Sequence, residues 1–207
     1  MTRSAPAHAP RDPATRLQES LARWGGDGDL WVYGYASLIW RPEFDFVEQR
    51  PAVVHGWHRA LEMRSTINRG SPQCPGLVFA LVAGGSCRGM AYRIDRHRAA
   101  AELARLWLRE MPNGVYDPRW LPCRTAQGPV EALGFTLSRA SPSYTGRMAD
   151  EQMLKILSTA HGRFGTTLDY LVETAASLRR CHIRDHDVER LVALARRHGL
   201  LNDATSA

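Results

Sequence analysis

Two short segments carry residue types that could do chemistry. The first is Gly34-Tyr35-Ala36-Ser37-Leu38-Ile39, where a run of strand formers gives way to small residues and main-chain N–H groups are free to turn outward. Successive unpaired N–H groups form a nest that holds an anion. A substrate carboxylate would be gripped there without an arginine, with the Ser37 hydroxyl as an added donor. The same residues also fit a plain turn between strands. A third reading makes Ser37 a nucleophile served by His55 or His58, but the segment lacks the G-x-S-x-G pattern that exposes such a serine.

The second segment is Leu108-Arg109-Glu110-Met111-Pro112-Asn113-Gly114. Pro112 and Gly114 end a helix here, so Glu110 lies at the negative end of the helix dipole, between the apolar Trp107 and Met111. Dipole and partial desolvation both raise a carboxyl's pKa, which suits a general base. Glu43, Glu62, Glu102 and Glu131 offer the same formal chemistry, and the residue types alone do not choose among them. Tyr144 and Tyr170 are further ligand candidates, with packing as the competing reading: Tyr170 shares a helical face with Leu171 and Leu178. His182 and His186 are four apart, but Asp185 reads as a helix cap between them, and no third ligand or H-E-x-x-H arrangement supports a metal site.

The elements around these segments follow from pattern. Asp12-Pro13 starts a helix that Gly25-Gly26 stops, and Leu30 to Tyr33 reads as a strand running into the tight loop. Ala52 to Met63 is a second strand. Leu77–Val82 and Cys87–Ile94 read as a hairpin across Gly84-Gly85-Ser86, and Asn68 to Pro72 as a loop. Asp95 caps a helix over Ala99, Leu103, Leu106 and Trp107. The stretches Val115–Arg124 and Val130–Leu137 are strands, the first confined by Pro118 and Pro122 to an edge. Helices follow over Asp150–Thr159, Leu168–Arg180 behind a Thr166 cap, and Val188–His198 behind Asp185. Strands first and helices later, with one helix embedded among the strands, predict an α+β fold with a mainly antiparallel or barrel-like sheet.

The 207 residues predict one domain over residues 12–207 behind a disordered tail, residues 1–11. The formal net charge of +6 admits both nucleic acid and acidic small molecules. However, the basic residues are scattered, and the densest runs, Arg179-Arg180 and Arg196-Arg197-His198, close helices where cations suit the dipole. With no zinc-finger spacing, aromatic-basic RNA signature or basic region followed by heptads, nucleic acid is not the expected partner. Cys74, Cys87, Cys123 and Cys181 form no C-x-x-C pair and read as free thiols. No apolar run reaches membrane-spanning length and residues 1–11 carry no apolar signal core, so no membrane association is expected and the expected compartment is the cytoplasm. Neither G-x-G-x-x-G nor the P-loop pattern occurs after a strand, which removes sequence support for a nucleotide cofactor.

Several segments taken together resemble the ChaC-like γ-glutamylcyclotransferases. Val32 to Trp40 resembles that family's Y-G-S-L loop. Asn68 to Pro72 followed by Pro75-Gly76-Leu77 resembles its R-G-T/S-P and P-G segment, and Gly89-Met90-Ala91-Tyr92-Arg93 its G-x-A-Y/F-R strand. Arg109-Glu110-Met111 with Gly114-Val115-Tyr116 resembles the segment bearing its catalytic glutamate, and Ser141 to Tyr144 and Gly165 to Leu171 complete a series in the same order, from about residue 30 to 182. The resemblance implies a γ-glutamylcyclotransferase-like fold: a small mixed or antiparallel β-barrel with flanking helices and a helical C-terminal region. It also implies no cofactor, Glu110 as acid/base, the loop Gly34 to Ile39 as the grip on the γ-glutamyl end, and Tyr144 in contact with substrate; no metal is expected from the residues. The implied reaction cleaves glutathione to 5-oxoproline and Cys-Gly. Cyclotransfer from other γ-glutamyl amino acids or amines, or a non-catalytic binder using the same pocket, are the alternatives. Ala36 stands where the family usually has glycine, which is costly if φ there is positive and harmless if it is negative.

Overall fold

The Asp12 side chain accepts hydrogen bonds from the N–H groups of Ala14 and Thr15, Pro13 follows where its missing N–H is not needed, and Gly25 at φ +76° ends the helix α1, Pro13–Trp24. Start and stop are those the sequence predicts. The structure, a computed structural model, describes residues 12–201; the disordered tail expected at residues 1–11 and the end of the expected domain, residues 202–207, lie outside the described residues.

Five strands close into a barrel: β1 (Leu30–Gly34), β2 (Glu48–Ser65), β3 (Gly76–Ile94), β4 (Asp117–Thr125) and β5 (Gly128–Leu137), in the order β1-β3-β2-β4-β5. The sheet is mixed. β1 runs antiparallel to β3 from Leu30 opposite Ile94 to Gly34 opposite Met90, and parallel to β5 where Val32 meets Leu133. β4 pairs with β5 along its length but meets β2 only from Cys123 to Thr125, so Pro118 and Pro122 fall on a stretch open on one side, as their missing N–H groups require.

The predicted hairpin across Gly84-Gly85-Ser86 is not there: β3 runs through these residues as one strand against β2. Gly84 and Gly85, at φ +110° and +71°, face Gly56 at φ +81°, and the register jumps from His55 opposite Ser86 to Trp57 opposite Ala83. Left-handed glycines on both strands make a bulge that bends the ribbon instead of reversing it. The true hairpin is β2–β3, and its connection contains the Asn68 to Pro72 loop. Gly70 and Gly76 there are needed for close approach, since a β-carbon on Gly70 would lie 2.0 Å from the Gly76 nitrogen.

A single helical turn, α2 (Ser37–Trp40), follows β1 directly, where the sequence predicts only a tight loop. Helix α3 (Arg96–Glu110) is capped by Asp95 and buries Ala99, Leu103, Leu106 and Trp107 against the barrel; the Trp107 indole N–H donates to the Pro13 carbonyl, 2.7 Å, which docks α1. After β5 come α4 (Asp150–Thr159), a small ribbon of β6 (His161–Gly162) and β7 (Gly165–Thr166), then α5 (Thr167–Arg180) and α6 (His186–Arg197). Thr166 and Asp169 form a reciprocal capping box at α5, and Asp185 caps α6. Tyr33, Phe79 and Phe135 of the barrel share one hydrophobic core with Leu171 and Leu178 of α5 and Leu191 and Ala195 of α6. That shared core fixes the helices relative to the barrel and hence the site between them.

Candidate active site

The chain leaves β1 at Gly34 and turns through Tyr35 and Ala36 into α2. Tyr35 is held at both ends. Its hydroxyl donates to the Phe135 carbonyl, 3.0 Å, and its own carbonyl accepts from Nε of Arg59 on β2. Ala36 has φ −144°, so no left-handed backbone is required there.

Glu110 is the last residue of α3, where the Met111 N–H donates to the Trp107 carbonyl at 2.8 Å and Pro112 stops the helix. Arg109 ties this helix end to the loop. Its Nη2 donates to Ser37 Oγ at 3.0 Å, its Nη1 pairs with Glu43 at 3.0 Å and also reaches the Arg41 carbonyl, and its Nε lies 3.0 Å from a Glu110 carboxylate oxygen. Arg41 pairs with the same Glu43, whose φ of +57° is left-handed for a non-glycine residue. Four charged side chains thus lock the segment after α2 onto the end of α3.

Between loop and helix end lies a narrow cavity of about 20 Å³, room for a water molecule. Tyr35, Ala36, Ser37 and Leu38 form one wall; Glu110, Tyr116, Tyr170, Phe79 and Phe135 form the rest. The Glu110 side chain is 15% exposed. Burial raises its pKa above the ordinary carboxylate value, the Arg109 charge pulls back, and the Glu43 charge pushes up again. Burial also raises the three phenols, helped by the Glu110 charge: Tyr35 and Tyr116 go well above 10 and Tyr170 to about 12. Each remains a protonated hydrogen-bond donor at neutral pH.

The residues predicted from sequence thus divide. Tyr35, Ala36, Ser37, Leu38 and Glu110 meet at the cavity. Gly34 stands behind the loop, where a β-carbon would lie 3.0 Å from Leu38 Cβ and 3.0 Å from the Tyr92 ring, and Ile39 packs against the core. Tyr144 does not join them. It bridges to Met63, sits beside Glu62 and packs on a separate small cluster of Ala60, Ala80, Val82 and Leu137, because the chain passes there from β5 towards α4 along the outside of the barrel. Tyr170 is both things at once, a buried core residue and part of the cavity wall. Tyr116, Phe79 and Phe135 are wall residues that sequence reasoning misses. Only Tyr116 carries a local signal, its position just after the Glu110 segment.

Ser37 Oγ accepts from Arg109, and among the described residues it makes no hydrogen bond to His55 or to His58, whose Nδ1 contacts the Gly84 carbonyl at 2.9 Å. Among the described residues no group of three potential ligands could hold a metal ion. A larger, more open cleft of about 470 Å³ lies between α1 and β4, but its lining includes none of the predicted site residues, and its tryptophans Trp57 and Trp120 are covered by Arg119 and Arg23.

Comparison with known proteins bears on this geometry. A family model described as ChaC-like protein matches residues 30–198. A glutathione-specific gamma-glutamylcyclotransferase of Escherichia coli (strain K12) is 33% identical over 180 residues, 86% of this chain and 78% of the relative. A glutathione-specific gamma-glutamylcyclotransferase 1 of Homo sapiens is 29% identical over 197 residues, 92% of this chain and 88% of that one. Among solved structures, a gamma glutamyl cyclotransferase specific to glutathione from yeast superposes with a TM-score of 0.75 over 83% of this chain and 97% of its own, at 20% identity, a likeness of fold.

Proposed function

The chain belongs to the ChaC-like protein family, and from that premise we propose that it is a glutathione-specific γ-glutamylcyclotransferase in which Glu110 is the general acid/base. The substrate's own α-amine attacks its γ-carbonyl carbon. A C–N bond closes the five-membered lactam, the γ-amide C–N bond breaks, and 5-oxoproline and Cys-Gly leave. The bonds balance without water, an electron carrier or a cofactor.

One observation carries the assignment of roles: a mostly buried carboxyl with a raised pKa shares a cavity wall with the loop from Tyr35 to Leu38. The attacking amine must lose a proton and the departing nitrogen must gain one, and a single carboxylate between them can take and return it. A pKa moved towards neutrality suits both halves of that exchange, worth about 10²–10⁴-fold in rate. Holding the γ-glutamyl chain bent, with its α-carboxylate on the main-chain N–H groups of the loop, supplies the orientation on which effective molarities of roughly 10⁵–10⁸ M depend. Tyr116 and Tyr170, kept protonated by burial, are the donors at hand for the oxyanion that forms on the γ-carbonyl.

The test is to mix the purified protein with glutathione and measure 5-oxoproline and Cys-Gly together, then repeat with γ-glutamyl amino acids and amines. Equimolar release of both products from glutathione is expected, and release from none of these compounds would remove the reading. The proposed compartment is the cytoplasm, which suits four unpaired thiols, and cell fractionation checks it.

A further inference from the structure

Arg59 lies on β2 behind the Tyr35–Ala36 peptide, its side chain 0% exposed. Its guanidinium is used in three directions. Nε donates to the Tyr35 carbonyl, Nη2 to the Arg88 carbonyl at 2.5 Å, and Nη1 pairs with Asp185, which also caps α6 by accepting from the Val188 N–H at 3.1 Å. Burying a guanidinium is expensive, and a well-packed apolar side chain in its place is often as stabilising or more so. A contribution to stability therefore does not account for it. What this fork does, and an apolar side chain would not, is fix the plane of one peptide in the substrate loop.

None of the described peptide bonds is cis. In a trans peptide the C=O and N–H point in opposite directions. With the Tyr35 oxygen turned onto Arg59, the Ala36 N–H points away from Arg59, and Ala36 and Ser37 are among the residues that line the cavity with Glu110. A cation at the carbonyl end also polarises the peptide and strengthens that N–H as a donor.

We propose that Arg59, locked in place by Asp185, is a positioning residue that holds the Tyr35–Ala36 peptide with its N–H towards the α-carboxylate of the γ-glutamyl substrate. The proposal rests on the cyclotransferase reading above. It makes the cap of α6 part of the apparatus that grips substrate, although α6 contributes nothing to the cavity wall.

Two variants separate this role from a merely structural one. Arg59→Lys keeps the charge and a partner for Asp185 but loses the planar fork that reaches two carbonyls at once. Asp185→Asn keeps an acceptor for the α6 cap and removes the charge facing Arg59. Affinity for glutathione is measured by calorimetry in Glu110→Gln protein, where turnover does not interfere, and KM and kcat are measured with Glu110 intact. For Arg59→Lys, affinity is expected to fall and KM to rise about tenfold, the worth of one hydrogen bond to a charged group, with kcat within about twofold. Asp185→Asn is expected to move in the same direction by less. A glutathione analogue with its α-carboxylate converted to a carboxamide is expected to bind weakly to the parent protein and no more weakly to either variant. A folded Arg59→Lys protein with unchanged glutathione affinity, or one that loses affinity equally for the analogue, overturns the proposal. If Arg59→Lys does not fold, Asp185→Asn decides by the same two readouts. Absence of any glutathione binding to the Glu110→Gln protein overturns the positioning role too. Failure of the cyclotransferase reading has a different signature: no 5-oxoproline, with the difference in binding intact.

Discussion

Glu102, midway along α3, is buried and Glu110, at its end, is mostly so, yet their surroundings differ in kind. The Glu102 side chain, 4% exposed, is fully engaged: it pairs with Arg98 at 3.2 Å and Arg105 at 3.1 Å and accepts from the Asp45 N–H at 3.3 Å. Glu110 has one cation, Arg109, and shares it with Ser37, Glu43 and the Arg41 carbonyl. Its second oxygen has no partner among the described residues and the carboxyl borders the cavity. Burial with every acceptor satisfied makes a strut; burial with an acceptor left over, facing a space, makes a base.

That contrast is open to direct attack. Glu110→Gln, nearly isosteric but unable to carry a proton, is expected to fold and to lose about 10²–10⁴-fold in kcat. Glu102→Gln should leave kcat within about twofold and instead lower stability by about 1–2 kcal/mol, read from denaturant melts. Equal losses of activity in the two would erase the distinction. Arg109→Met sharpens it. Removing the cation that holds the Glu110 pKa down should shift the acidic limb of kcat/KM to higher pH, and a limb that stays put would show that another group titrates there.

Stability offers a third test. The folded Glu110 carboxyl has a pKa above the unfolded value of about 4.5. Below the unfolded value the carboxyl is protonated in both states and costs nothing. As pH rises from the unfolded value towards the folded one, the unfolded chain ionises freely while the desolvated native carboxyl holds its proton. Native stability then falls by up to about 1.4 kcal/mol per pH unit, and it levels off once the folded value is passed. The Tm advantage of Glu110→Gln over the parent should therefore grow as pH rises above about 4.5, whereas an advantage independent of pH would refute the desolvation account. Smallest of all is the effect expected at Tyr144. Packed away from the cavity, it should leave KM within about twofold when changed to Phe, and a large rise in KM would return it to the substrate site.

Much of the scaffold was legible in the residues because its signals are local. Asp12, Asp95, Thr166 and Asp185 each cap a helix through a bond to an N–H two or three residues ahead, and Gly25 ends one by a left-handed turn that needs no distant partner. The loop after Tyr33 and the place of Glu110 at a helix end could be read in the same way. The Gly84-Gly85 segment misled for a related reason: left-handed glycines serve a reversal and a bulge equally well, and only the presence of β2 alongside, with Gly56 opposite, selects the bulge.

The amino-acid sequence by itself determined where helices begin and end, which segments are apolar enough to become barrel strands, and, through motifs kept in order, the family. Tertiary structure alone decided which of several equivalent glutamates is desolvated beside a cavity, that Tyr116, Phe79 and Phe135 converge on it while Tyr144 does not, and that a buried arginine on β2 reaches both the loop and the cap of α6. Caps and turns are settled within a few residues along the chain. Desolvation, pKa and the aim of a peptide N–H depend on groups far apart in the chain, such as Tyr35 with Phe135 and Arg59 with Asp185, and those meet only when the barrel closes and α5 and α6 pack against it.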